Sequence, residues 1–273
     1  MICHVGVLAR PDLETQFSGI NMSEYILDQM TWATVKETRF ETAVLPWGAT
    51  EAHNLHLPYG TDTFQAVAVG LESCRRASER GARVVLLPAI PFGVHTQQED
   101  IRLTINMNPS TQELVLRDLI DSLENAGVRK LVILNGHGGN SFRQMIREIQ
   151  TSTSVFLCEA NWYMLGNKEE IFEHQGDHAG EMETSVMMHI KPDLVLPLEK
   201  AGSGAERTFK IKALRERRVW APRKWSEVTD DTGVGDPSSS SADKGVRYLE
   251  QVLEELSKFL IDLDASDPTN LYT

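Results

Sequence analysis

Four short apolar runs separated by helix-like stretches constrain this chain more than any other feature. Residues 42–46 (TAVLP), 83–88 (RVVLLP), 130–134 (KLVIL) and 154–158 (SVFLC) place apolar side chains at consecutive rather than alternate positions. A strand of that pattern is apolar on both faces, and only a sheet covered by helices on each side keeps both faces from water. Helical patterns fill the gaps. Residues 110–126 open with Ser110 and Glu113, the spacing of a capping box, carry Leu114, Leu119, Ile120 and Leu123 at helical intervals, and stop at Gly127. Residues 64–79 and 141–151 are weaker helical patterns. Residues 244–263 put Val246, Leu249, Val252, Leu253, Leu256 and Leu260 on one face. Strand alternating with helix predicts an α/β fold: a single domain over residues 1–273, three-layered, with a central, mostly parallel sheet.

Composition agrees with such a core and narrows the partners. Apolar types make up 41% of the 273 residues, with no internal repeat and no second hydrophobic domain. The 27 basic side chains are outnumbered by 39 acidic ones, for a net charge of −12. A surface of that sign repels phosphate backbones, so no nucleic-acid partner is expected. Cys3, Cys74 and Cys158 are too scattered for a disulfide framework or a CxxC zinc knuckle and read as small buried side chains. Residues 1–10 lack a signal-peptide pattern, and no apolar run is long enough to span a membrane. These features predict a cytoplasmic enzyme or binding protein with a small-molecule ligand and no membrane contact.

In open α/β sheets ligands sit beyond the carboxyl ends of the strands, and three polar clusters fall there. The first, after the 42–46 run, packs Glu51, His53, His56 and Asp62 close together between Gly48 and Gly60. Glu51 and His53, two apart on an extended segment, point the same way, and the two oxygens of Asp62 suit a carboxylate bridging two cations. The second, after the 130–134 run, is NGHGGN, residues 135–140, with His137 among three glycines. Its glycines also let backbone N–H groups approach an oxyanion. The third, residues 176–185 (GDHAGEMETS), opens a helix with Asp177, His178 and Glu183; a core-facing Glu183 is costly unless a cation neutralises it, and Glu181 reads as its solvent-facing neighbour. His95 follows the 83–88 run and stands where it can line the same mouth, whereas His4, His174 and His189 fall outside these clusters. The Ser-rich stretch 229–243 reads as a surface linker or as an ordered loop near the site.

Taken together, GATEAHNLHLPYGTD (48–62), NGHGGN (135–140) and HAGEMETS (178–185) resemble the creatininase (creatinine amidohydrolase) family in residues, order and spacing. The segments 232–237 and 242–245 are similar to its C-terminal signature. The resemblance implies a creatininase-like fold and two divalent cations per chain, zinc first, with manganese or iron as alternatives. It implies cleavage of a non-peptide C–N bond, as in a cyclic amide or formamide. Carried over by position, it makes Glu51, His53, Asp62 and His137 metal ligands, with Asp62 as the bridge. Gly139 stands where creatininase itself has a glutamate, so Glu183 becomes the fifth ligand and creatinine is a weaker candidate substrate. His178 matches the catalytic histidine, with Asp177 beside it to orient the ring and His56 behind a ligand. A homo-oligomer, commonly a hexamer, is also implied. Alternatives on the same scaffold are a deformylase of formylamino-pyrimidines, a hydrolase of sugar-derived cyclic compounds, and a catalytically silent binding protein. Trp162 and Tyr163 are placed to stack on a planar substrate or to anchor their loop.

Overall fold

In the computed structural model, which describes residues 24–273, the four apolar runs become four parallel strands. They are β1 (Thr42–Trp47), β2 (Val84–Leu86), β3 (Lys130–Asn135) and β4 (Phe156–Asn161), ordered β2-β1-β3-β4. The helices are α1 (Trp32–Val35), α2 (Thr61–Glu79), α3 (Pro109–Asn125), α4 (Arg143–Ile149), α5 (Glu181–Ile190), α6 (Lys212–Arg215), α7 (Trp225–Val228) and α8 (Ala242–Ala265). Cys3, His4 and the segment 1–10 lie outside the described residues.

Alternate residues of each central strand feed opposite layers. Val44, Val132 and Leu134 pack against α2 and α8 through Val69, Cys74, Leu249, Val252, Leu253 and Leu256. Ala43, Leu45, Trp47, Leu131 and Ile133 face α3 and α4 through Leu116, Ile120, Leu123, Met145 and Ile149. The chain is therefore the expected three-layer α/β domain, with its sheet wholly parallel. At the opposite end of β3 from the site, the buried Lys130 donates to the carbonyls of Asp264 (2.9 Å) and Ser266 (2.8 Å), tying down the end of α8.

Three local expectations are corrected. The helix of residues 110–126 starts at Pro109 with Asn108 at its N-cap, so Ser110 does not cap it. Proline at the first helical position, with φ already set, moves the start ahead of the serine. Leu114 is 64% exposed, and Gln112, Leu116, Ile120 and Leu123 form the buried face instead. On α8, Val246 is 37% exposed, while Gly245 and Tyr248 lie inside. Gly245 is needed there, because a Cβ would stand 2.1 Å from the Ser185 carbonyl of α5.

The stretch 229–243 is an ordered loop. Val234 pairs with His178 in both directions, accepting from His178 N at 3.0 Å and donating to its carbonyl at 2.8 Å. The order β2-β1-β3-β4 reverses between β1 and β3, which opens a crevice at their carboxyl ends. The segments carrying the first two polar clusters leave from there.

Candidate metal centre

Glu51 and His53 come from the turn-rich segment after β1, and Asp62 from the first turn of α2. His137 follows β3, His95 follows β2, His178 precedes α5, and Glu183 sits in its first turn. The structure brings all seven together. Glu51, His53 and His95 are fully buried, Asp62 is nearly so, and His137 and His178 are buried at the crevice floor. Glu51 Oε1 lies 2.7 Å from His137 Nδ1, and Asp62 Oδ2 lies 3.1 Å from the same nitrogen. Asp62 Oδ1 lies 3.0 Å from His53 Nε2. His95 Nε2 is 3.5 Å from Glu51 Oε2, and His178 Nδ1 is 3.9 Å from Glu51 Oε1.

The four rings share one posture. His53 Nδ1 faces the Glu51 carbonyl at 3.1 Å, His95 Nδ1 the Ile105 carbonyl at 3.1 Å, His137 Nε2 the Val94 carbonyl at 3.1 Å, and His178 Nε2 the Ala52 carbonyl at 2.8 Å. A carbonyl only accepts, so each outer nitrogen carries a proton and donates. Each inner nitrogen is then aimed at the carboxylates, the posture that a hydrogen bond from the outer nitrogen imposes on metal-binding histidines.

With neutral imidazoles several inward atoms have no hydrogen-bond partner despite full burial. They include Glu51 Oε1, Asp62 Oδ2 and His95 Nε2. An orphaned buried oxygen or nitrogen costs about 1–3 kcal/mol, so a cluster of them marks a place built for a cation. Three sets of donor atoms each lie within 4.8 Å of one another: Glu51, His53 and His178; Glu51, His95 and His137; and His53, Asp62 and Glu183. Imidazole with carboxylate suits zinc, manganese or iron. The residues present therefore fit divalent cations.

The charges within the cluster compensate one another. Burial pushes the Glu51 carboxyl up, but His137 and His178 beside it win and hold it well below the usual range. Burial likewise opposes Asp62, whose carboxyl is lowered by His53 and His137. Burial disfavours a charged His53, yet Asp62 and then Glu51 raise its ring to about 10. His137 is raised well above its ordinary value against burial, chiefly by Glu51. Protons on His53 and His137 balance the buried carboxylates.

Other expected residues behave differently. Asp177 does not orient His178: its carboxylate turns to Arg217 (2.9 Å) and Arg223 (3.1 Å), since neighbouring side chains diverge, and the Ala52 carbonyl holds the ring. Glu181 does not face solvent. It is buried, 2.5 Å from Lys244 Nζ, and accepts from the Glu173 and His174 amides at 2.8 and 2.7 Å. Two residues apart on a helix, Glu181 and Glu183 point to different sides, and α8 covers the side of Glu181. Glu183 accepts from the Ala179 N–H and is left partly open to the crevice. His56 Nε2 stands 2.9 Å from Thr184 Oγ1, which ties the first cluster to α5. Trp162 is fully buried against Tyr248 and anchors its loop, while Tyr163 lines the cleft with Lys168, His178 and Glu183.

Gln98 and Lys168 escaped the sequence reading. Gln98 is buried and donates its amide to Glu51 Oε2. Lys168 has an ammonium whose pKa burial lowers. Lys168 opens a short 3-10 turn and Gln98 sits on the loop that carries His95, and neither side chain's direction shows in the local pattern.

A parallel α/β sheet with a buried histidine–carboxylate cluster at its switch point defines the class: an α/β protein whose strand ends carry a set of donors competent to hold cations. The creatinine amidohydrolase (creatininase) family profile matches residues 28–260, and the chain belongs to that family. A structure from Bacteroides fragilis, provisionally described as a creatinine amidohydrolase, shares 40% identity over 92% of this chain and 99% of its own, with a TM-score of 0.87. The mycofactocin precursor peptide peptidase of Mycobacterium ulcerans is 30% identical over 220 residues, covering 78% of this chain and 81% of that protein. The creatinine amidohydrolase of Pseudomonas putida is 30% identical over 176 residues, or 56% of this chain and 65% of that one. A creatininase structure of the Zn-Zn type shares the fold at a TM-score of 0.72 and 21% identity, over 88% of this chain and 98% of its own.

Proposed function

We propose that this chain is a metal-dependent amidohydrolase that cleaves the non-peptide C–N bond of a small cyclic amide or formamide. In this reading Glu51, His53, Asp62, His137 and Glu183 hold two divalent cations. The observation that carries it is the shared posture of the rings, each outer N–H on a main-chain carbonyl and each inner nitrogen on a carboxylate. Zinc is the first candidate and manganese the second, because creatininases of this fold are described in Zn-Zn and Mn forms. Bound, such cations polarise a scissile carbonyl and bring the pKa of water from about 15.7 towards 7. Asp62 offers one oxygen towards His53 and the other towards His137, the division a bridging carboxylate needs. His178, its Nε2 committed to Ala52, presents Nδ1 to take a proton from the attacking water and return it to the leaving nitrogen. Lys168 and Tyr163 line the cleft and orient the substrate.

A second reading, hydrolysis of a peptide, is favoured by two observations. Relatives matching 78% of this chain are named peptidases, and an open cavity of about 1150 Å³ borders Asp177 and the 206–224 segment, more than a small ring fills. Deformylase relatives, 27% identical over 139 residues, support the formamide branch of the first reading. A panel of lactams, formamides and short peptides, assayed after chelation and after restoring zinc or manganese, separates the two. Metal-restored turnover of a lactam or formamide is expected. Turnover of peptides alone favours the second reading, and no chelator-sensitive hydrolysis overturns both.

We also propose a cytoplasmic homo-oligomer, hexameric by family resemblance. Trp32 and Trp220, 76% and 83% exposed, are large aromatic surfaces that a subunit contact would cover. Among the described residues no helix is long and apolar enough to cross a membrane. Light scattering at micromolar concentration should give a multiple of the 30.6 kDa chain mass; the chain mass itself contradicts the assembly.

A further inference from the structure

His95 lies outside every motif that carries the family resemblance, and yet its ring is sealed against Glu51. We infer that His95 is an additional ligand of the cation held by Glu51 and His137, an inference that rests on the two-cation reading above.

The ring's protonation pattern comes first. Its Nδ1 faces the Ile105 carbonyl at 3.1 Å and donates there, so in the neutral ring, the form that binds a cation, Nε2 carries the lone pair. That lone pair has no hydrogen-bond partner although the side chain is completely buried. It faces Glu51 Oε2, another acceptor, at 3.5 Å. Two acceptors set face to face in a buried space repel unless positive charge lies between them. The separation fits a shared ion: two donors bound at about 2.0–2.2 Å around a tetrahedral centre stand roughly 3.3–3.6 Å apart. The inner nitrogen of His137 completes a set whose donor atoms all lie within 4.8 Å of one another.

The surrounding chain holds the ring in this place. His95 N donates to Asn106 Oδ1 at 2.7 Å, and Gly93 pairs with Asn106 in a parallel bridge. Gly93 allows the close approach: a Cβ there would stand 2.8 Å from His137 Cδ2 and 2.9 Å from Ala49 Cβ. The two imidazoles stack with centroids 4.4 Å apart. Gln98, from the same loop, donates to Glu51 Oε2 and fixes the carboxylate that His95 faces. A second imidazole makes this position nitrogen-rich, which favours zinc over the harder, oxygen-seeking cations.

The test loads metal-stripped wild type, His95→Ala and His95→Gln with zinc alone and with cobalt(II) alone. Stoichiometry and affinity are read by chelator competition, and coordination by the visible cobalt spectrum. Both variants should hold one cation as the wild type does and the other about 10–100-fold more weakly, with an altered cobalt spectrum. Unchanged affinities and spectrum in a wild type that binds two cations overturn the role of His95 and leave the two-cation reading standing. A wild type that takes up neither ion overturns that reading and this inference together. Nitrogen-15 histidine spectra of the cadmium-loaded wild type need no variant: coupling of ¹¹³Cd to His95 Nε2 supports the assignment, and its absence beside a coupled His137 refutes it.

Discussion

Filling the proposed metal centre must expel protons, and the buried geometry sets how many. Glu51 and Asp62 are sealed from water, and their charge is balanced in the metal-free protein by protonated His53 and His137. His53 keeps its proton up to about pH 10, and His137 is likewise held well above its ordinary value. A cation needs the lone pairs those protons occupy. At pH 8, loading therefore displaces about two protons per chain from these rings. Each displaced proton makes the apparent affinity climb about tenfold per pH unit, and the climb lasts until the raised pKa values are passed. Exposed histidines with an ordinary pKa of about 6.5 would give a flat response above roughly pH 7.5, so the interval from 7.5 to 9.5 separates the cases. Isothermal titration of zinc in two buffers of different ionisation enthalpy counts the protons directly. Release near zero at pH 8, with affinity flat from 7.5 to 9.5, refutes the argument. The same raised ring stabilises the metal-free fold fully below pH 6.5, and this contribution is lost as pH rises through about 10.

His178→Ala should keep its metal and lose about 10²–10⁴-fold in turnover, read as kcat beside elemental analysis; loss of one cation would make His178 a ligand, consistent with its nearness to Glu51 and His53. Gly93→Ala drives a methyl into His137 and Ala49 and should cost about 1–3 kcal/mol in chemical denaturation, with weakened metal retention; wild-type stability contradicts the packing described. Burial, then the charge of His53, pushes the His56 ring down to about 4. The unfolded chain gains that proton near pH 6.5 and the folded one does not, so this contribution is present above pH 6.5 and falls away as pH drops towards 4. His56→Gln should narrow the stability difference between pH 7 and pH 5, and an undiminished difference contradicts the assignment.

How much of this was legible in the chain depended on how local the cause was. β1 and β3 were plain because six consecutive buried positions leave few alternatives to a covered strand. β4 was placed two residues early. Pairing with β3 sets its register, Lys130 opposite Phe156 and Asn135 opposite Asn161, and carries it into Glu159 and Asn161, where composition signals a loop. The convergence of the first two polar clusters was readable because Glu51, His53 and Asp62, and then His137, crowd the ends of apolar strands. The approach of Glu183 to His53 and Asp62 follows from its place in the first turn of α5. Its neighbour Glu181 was misread, because the layer that buries it comes from α8, more than fifty residues away in sequence. The role of His95 depends on Ile105 and Asn106 folding back onto it, a contact that no local pattern announces.

Elemental mass spectrometry of the purified protein, beside the Glu51→Gln, His137→Ala double variant, tests the central claim most directly. About two equivalents of zinc, manganese or iron per chain, lost in the variant, are expected from the donor set. A wild type that holds none, even after incubation with each ion in turn, would contradict the metal-centred account and leave a binding protein on a hydrolase scaffold.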